Sequence, residues 1–204
     1  MQNPENIIFD LGGVILDVDY NLTRIAFEKL GVIHFDEMYS QANADQLFQK
    51  LETGVISEDQ FYKELNRCTG LKLSPDEIRK AWNAMLLSFR EKSLELLDKI
   101  RPKYKIYLLS NTNYIHIRSI KETFHQKERT KTFEEYFDKA FYSCEIGFRK
   151  PDAACYAWVI KKLNLDSSKT LFIDDSLHNI KGAKKAGWQT IHLATGMQIE
   201  DLGL

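Results

Sequence analysis

Asp10 follows the apolar run NIIF, Ser110 closes KIYLLS, Lys150 sits in GFRKPD, and Asp174-Asp175 ends TLFIDD. A carboxylate can act as a nucleophile toward phosphorus or carbon. Two adjacent acids repel each other unless a cation neutralises them. Three carboxylates supply the hard oxygen ligands that Mg²⁺ takes, with waters and a phosphate completing the set. A hydroxyl and a lysine then suit the phosphate oxygens. Together these residues predict phosphoryl transfer: Asp10 as nucleophile forming an aspartyl-phosphate, and Ser110 and Lys150 on the phosphate. Taken singly each has a plainer use, as a turn former, a helix cap or a solvated loop residue.

The set is meaningful only if one scaffold brings it together. Five apolar runs read as strands: 6–11, 105–110, 139–145, 170–174 and 190–194. They are continuous instead of alternating, the pattern of strands covered on both faces of a parallel sheet. Helical patterns at 153–165 and 178–188 separate later strands, which predicts an α/β, doubly wound, Rossmann-like parallel sheet. Ligands of such sheets bind beyond the carboxyl ends of the strands, where these residues fall. Between Tyr20 and Phe89 the sequence reads as helices only, about four of them. Asn21 is the expected N-cap of the first, and Ser57…Gln60 and Ser74-Pro75…Glu77 are capping boxes of two others. This predicts a core of residues 1–17 and 92–204 with a helical cap, 18–91, inserted after the first strand. Gly12 and Gly13 let the backbone turn close to a metal and phosphate.

Composition excludes several classes. Lys+Arg 28 against Asp+Glu 29 leaves no global field for nucleic acid or an anionic membrane. The basic cluster at Lys127–Lys131 reads as a solvated surface loop. Cys68, Cys144 and Cys155 form no CxxC and read as small buried residues, in neither a disulfide framework nor a zinc site. The start, MQNPENIIFDL, lacks the basic and long apolar regions of a signal peptide, and no run approaches the ~20 apolar residues of a membrane span. A cytoplasmic protein with a small phosphorylated substrate is expected.

These stretches resemble the motifs of the haloacid dehalogenase-like hydrolases, in order and over essentially the whole chain: IIFDLGGV, YLLSNTN, SCEIGFRKPD and LFIDDSLHNIKGAKKAG. The resemblance implies a helical cap between the first two motifs, Asp10 as nucleophile, and Ser110 and Lys150 on the phosphate. It also implies Mg²⁺ held by Asp10, Asp174, Asp175 and the backbone carbonyl of Gly12. Asn111 and Asn179 match polar family positions that shape the site, Asn111 on the substrate side. One departure stands out. Most phosphatases of the family carry a second aspartate two residues after the nucleophile as general acid/base, and here that position is Gly12. The loss is worth ~10²–10⁴-fold in rate unless it is compensated. Asp17 and Asp19 on the following flap are candidate substitutes; a good leaving group is the other remedy. FDLGGVILDVD is similar to a bacterial subgroup that includes α-D-glucose-1-phosphate phosphatase, which favours a small metabolite such as a sugar 1-phosphate. A 2-haloacid dehalogenase or a catalytically weak ligand-binding relative is the alternative. An acid pair opposing a carboxylate substrate argues against the dehalogenase. Glu52, Trp82 and Asn83 are unranked cap candidates for specificity.

Overall fold

Fully buried parallel strands need apolar side chains on both faces, and the chain supplies them at all three central strands. The structure, a computed structural model, describes residues 3–33, 35 and 42–204. Its main sheet has five parallel strands: β1 (Asn6–Phe9), β4 (Lys105–Ser110), β5 (Lys139–Tyr142), β6 (Thr170–Asp174) and β7 (Gln189–His192), in the order β5-β4-β1-β6-β7. This is the doubly wound α/β sheet expected from the sequence. The chain leaves β1 toward one edge and returns to build the other, so the topological switch lies between β1 and β6.

Successive side chains of β1 point to opposite faces. Ile7 and Phe9 pack with α5 (Glu91–Ile100) and α6 (Tyr114–His125) through Leu94, Leu97, Ile117 and Phe124. Ile8 packs on the other face with α8 (Ala153–Leu163) and α9 (Leu177–Lys185) through Tyr156, Val159 and Ile180. Register does the rest. Phe9 pairs with Leu108 and with Ile173, so the next residue, Asp10, is level with Asp174 and one step short of Ser110.

Residues 20–83 contribute α1 (Tyr20–Lys29), α2 (Ala42–Glu52), α3 (Glu58–Thr69) and α4 (Pro75–Asn83). Their apolar faces enclose a second core with Phe27, Phe48, Phe61, Leu65 and Trp82, to which Ile115 of α6 also belongs. Both expected capping boxes form, Ser57 with Gln60 and Ser74 with Glu77. The expected cap includes residues 34 and 36–41, which lie outside the described residues.

Several expectations are corrected. The segment 20–89 is not helical throughout. After α4 the chain extends as β3 (Leu86–Phe89), antiparallel to β2 (Leu16–Val18), a ribbon through which the helical insert leaves and rejoins the sheet domain. Asp19, not Asn21, caps α1, accepting the Asn21 N–H at 3.0 Å. The third strand stops at Tyr142, because Ser143–Ile146 turn into a short helix, α7, ended by Gly147 at φ 75°. Cys68 is exposed, while Cys144 and Cys155 are buried, and all three are free thiols. The basic loop lies at the surface as expected, and its cations are paired there: Lys127 and Arg129 with Glu91, and Lys131 with Asp98. Two carboxylates thus offset part of the charge of these three cations. Among the described residues no helix is long and apolar enough to cross a membrane.

Candidate active site

The switch point brings the predicted acids together. One ligand oxygen from each of Asp10, Asp174 and Asp175 lies within 4.8 Å of the others. Lys150 reaches them from the loop after α7, with its Nζ 2.8 Å from Asp10 Oδ1 and 2.7 Å from Asp174 Oδ2. The lysine side chain is 1% exposed and Asp174 is fully buried.

Asp174 is an anchor for its neighbours. Besides Lys150 it accepts the Ser176 N–H at 2.7 Å and the Asn179 side-chain amide at 3.1 Å on each oxygen. Asp175 is the exposed member of the pair, and its carbonyl accepts from Nε2 of His192 at 2.9 Å. Asn111 donates to the Lys150 carbonyl at 2.8 Å and accepts the Lys150 N–H at 2.9 Å. It therefore fixes the backbone that presents the lysine. Ser110 is buried and lines the same cavity as Asp10 and Lys150.

Charge balance is incomplete, with one ammonium among three carboxylates. Burial raises the Asp10 carboxyl, Lys150 opposes that, and Asp174 and Asp175 add to it, leaving Asp10 at about 7. Burial also raises Asp175, with Asp174 contributing. For Lys150 burial favours the neutral amine, but Asp10 and Asp174 outweigh it and hold the ammonium charged. A further cation would complete the neutralisation.

The two glycines have different uses. Gly13 has φ 69°, and a Cβ there would fall 2.2 Å from Asp175 Oδ2, so glycine is required both by the backbone and by the carboxylate packed on it. Gly12 has no such backbone demand, and among the described residues its Cβ would meet only Val18 Cγ2, at 3.3 Å. Arg90, which the sequence reading missed, holds this turn from β3's end. Its guanidinium donates to the Gly13 carbonyl at 2.8 Å and to Asp17 at 2.6 Å. With Asp17 held by Arg90 and Asp19 capping α1, neither flap acid lines the cavity.

The cavity has a volume of about 440 Å³ and is walled by both parts of the molecule. Asp10, Ser110, Lys150 and Asp175 form the sheet side; Thr23, Glu52, Trp82 and Met85 stand opposite. Of the three cap candidates, Glu52 and Trp82 line it. Asn83 instead accepts from Nδ1 of His116 at 2.8 Å, beside the Trp82–His116 ring stack. Arg149, also missed, lines the cavity next to Lys150 and pairs with Glu52 at 3.1 Å.

The model of the haloacid dehalogenase-like hydrolases matches residues 4–187, a span holding all of these groups except His192. The chain belongs to that family. Among similar family members, a D-ribitol-5-phosphate phosphatase of Bacteroides thetaiotaomicron is 36% identical over 196 residues, 94% of this chain and 93% of the relative. A sesquiterpene phosphatase of Aspergillus oryzae is 28% identical, covering 96% and 94%. A crystal structure of a HAD family enzyme from B. thetaiotaomicron, in complex with magnesium and inorganic phosphate, superposes with a TM-score of 0.89 at 33% identity, covering 98% and 99% of the two chains.

Proposed function

We propose that this protein is a magnesium-dependent phosphatase acting on phosphate monoesters of small polyhydroxylated molecules, with Asp10 as the nucleophile. The observation that carries this reading is the buried Asp10–Lys150–Asp174 contact beside Asp175 at the switch point. The donor set fits the metal: three hard carboxylates whose charge a single lysine leaves uncompensated. Asp10, Asp174, Asp175 and the Gly12 carbonyl would hold it, where it would neutralise charge and polarise the phosphoryl group.

The protein's own groups act as follows. Lys150 and Ser110 hold phosphoryl oxygens, and Lys150 also favours the ionised form of Asp10 against the burial that opposes it. An Asp10 oxygen bonds to phosphorus as the bond to the ester oxygen breaks, and that oxygen takes a proton from solvent water to leave as an alcohol. Water then attacks the phosphorus of the aspartyl-phosphate, breaking its bond to Asp10 and giving a proton back to solvent, which releases inorganic phosphate and restores the carboxylate. Residues 18–91 form the cap that closes over this chemistry, residues 1–17 and 92–204 carry it, and the β2–β3 ribbon joins them.

Two substrate classes follow from two observations. The relative named for D-ribitol 5-phosphate favours a terminal polyol phosphate. Gly12, in the slot of the usual proton donor, favours a sugar 1-phosphate, whose anomeric oxygen leaves more readily. Phosphate release should be measured with Mg²⁺ on pentitol 5-phosphates, hexose 1-phosphates and hexose 6-phosphates, and again with EDTA and with Asp10→Asn. Release from at least one class, abolished by EDTA and by Asp10→Asn, is expected. Undiminished turnover by Asp10→Asn would sink the proposal.

A further inference from the structure

The cap side of the cavity is lined by Tyr20, Thr23, Phe35, Glu52, Trp82 and Met85, three of them apolar. Thr23 offers little to a ligand, since its hydroxyl donates to the Trp82 carbonyl at 3.1 Å and accepts the Met85 N–H at 3.2 Å. Among the described lining residues Glu52 is the one carboxylate that does not come from the sheet domain. It is the last residue of α2, and its position is closely fixed. Two residues later Gly54, at φ 68°, runs so near α7 that a Cβ would lie 2.2 Å from the Cys144 carbonyl oxygen. That contact seats the end of α2 against the loop carrying Arg149 and Lys150.

Arg149 meets Glu52 at 3.1 Å, with side-chain exposures of 25% and 17%. The pair thus lies in the cavity wall and is largely withdrawn from solvent. The Arg149 Nε is buried and has no hydrogen-bond partner among the described residues. A buried donor left unsatisfied costs about 1–3 kcal/mol, which the side chain would recover by turning that N–H toward a ligand oxygen in the cavity. A hydroxyl group both accepts and donates, so its oxygen can take the guanidinium N–H while its hydrogen goes to the carboxylate.

We propose that Glu52 and Arg149 together read the leaving group: they take a hydroxyl of an uncharged polyol and repel a leaving group carrying its own negative charge. This rests on the phosphatase reading and adds its selectivity. The cap carboxylate sets the sign. Without it, Arg149 would face the leaving group as an unopposed cation and would favour an anion.

The test compares kcat/KM on three esters: a pentitol 5-phosphate, 3-phosphoglycerate and 4-nitrophenyl phosphate. Glu52→Gln, which keeps the side-chain volume, should lower the ratio of pentitol phosphate to 4-nitrophenyl phosphate about 10- to 100-fold, mainly through KM. It should also raise the ratio of 3-phosphoglycerate to pentitol phosphate by about tenfold or more. Arg149→Met should lower the first ratio without that gain. Thermal melts of both variants check that they fold. Equal losses on all three esters would mean that the pair only holds the cap shut, and would overturn the proposal, as would unchanged ratios. Failure of the wild-type protein to release phosphate from any of the three would instead overturn the phosphatase reading beneath it.

Discussion

Lys150 Nζ stands between Asp10 Oδ1 and Asp174 Oδ2, at 2.8 and 2.7 Å, with the lysine side chain 1% exposed. A cation buried this deeply is tolerated because two carboxylates face it, and they are tolerated because of it. Removing one member of such a cluster strands the others. Lys150→Met should therefore lose about 3–5 kcal/mol of stability at neutral pH. It should also lose at least about 100-fold in turnover, since phosphate loses its fixed positive partner. Urea denaturation followed by a phosphate-release assay checks both; a variant as stable as wild type would mean that the contact is not a coupled one.

Asp175 and Gly13 depend on each other, because a side chain at residue 13 would occupy the space of the carboxylate. Mg²⁺ bound only by the folded protein should raise its melting point, by about 2.7 kcal/mol of stabilisation at 100 times Kd. Gly13→Ala should displace Asp175 and lose most of this increment, as Asp175→Asn should. Differential scanning calorimetry with and without the ion reads the effect directly. An undiminished increment in Gly13→Ala would show that Asp175 does not contribute to holding the ion.

His116 is buried with its ring stacked on Trp82, and burial pulls its pKa from 6.5 down to about 3. Between those values the unfolded chain binds a proton that the folded protein refuses, so stability falls as pH drops from about 6.5 toward 3. The contribution at pH 5 is a loss of about 2 kcal/mol relative to neutral pH. His116→Gln removes this titration. Its stability deficit against wild type should thus be largest near pH 7.5 and shrink toward pH 5. Chemical denaturation across that range is the measurement, and a pH-independent deficit would contradict it.

The sheet and its acids were legible because strands buried on both faces need unbroken apolar runs, and the polar residues closing the three central runs, Asp10, Ser110 and Asp174, fall beside the switch point. The β2–β3 ribbon was not. Leu86–Phe89 is partly exposed and reads as the tail of the preceding helix, and its partner, Leu16–Val18, is 68 or more residues earlier. Asp17 and Asp19 looked available for proton transfer because Arg90, a residue distant in sequence, gives no local sign of holding Asp17. Arg149 was overshadowed by the neighbouring Lys150, and only the docking of α2 places Glu52 against it. The same applies to Lys127–Lys131, whose acidic partners come from another helix.

Gly12 lines the cavity, needs no positive φ, and among the described residues faces only a methyl group of Val18 at 3.3 Å. An aspartate should fit there with a shift of a few tenths of an ångström in that side chain. It would stand two residues after Asp10, the proposed nucleophile, where it can protonate a departing alkoxide. Gly12→Asp should then raise kcat on polyol phosphates by tenfold or more, within the ~10²–10⁴ that general acids supply. On 4-nitrophenyl phosphate, whose phenolate leaves without a proton, the gain should be about an order of magnitude smaller. Parallel steady-state assays on the two esters decide it. Equal effects on both would mean that another group already delivers the proton, and that Gly12 is not the position limiting this step.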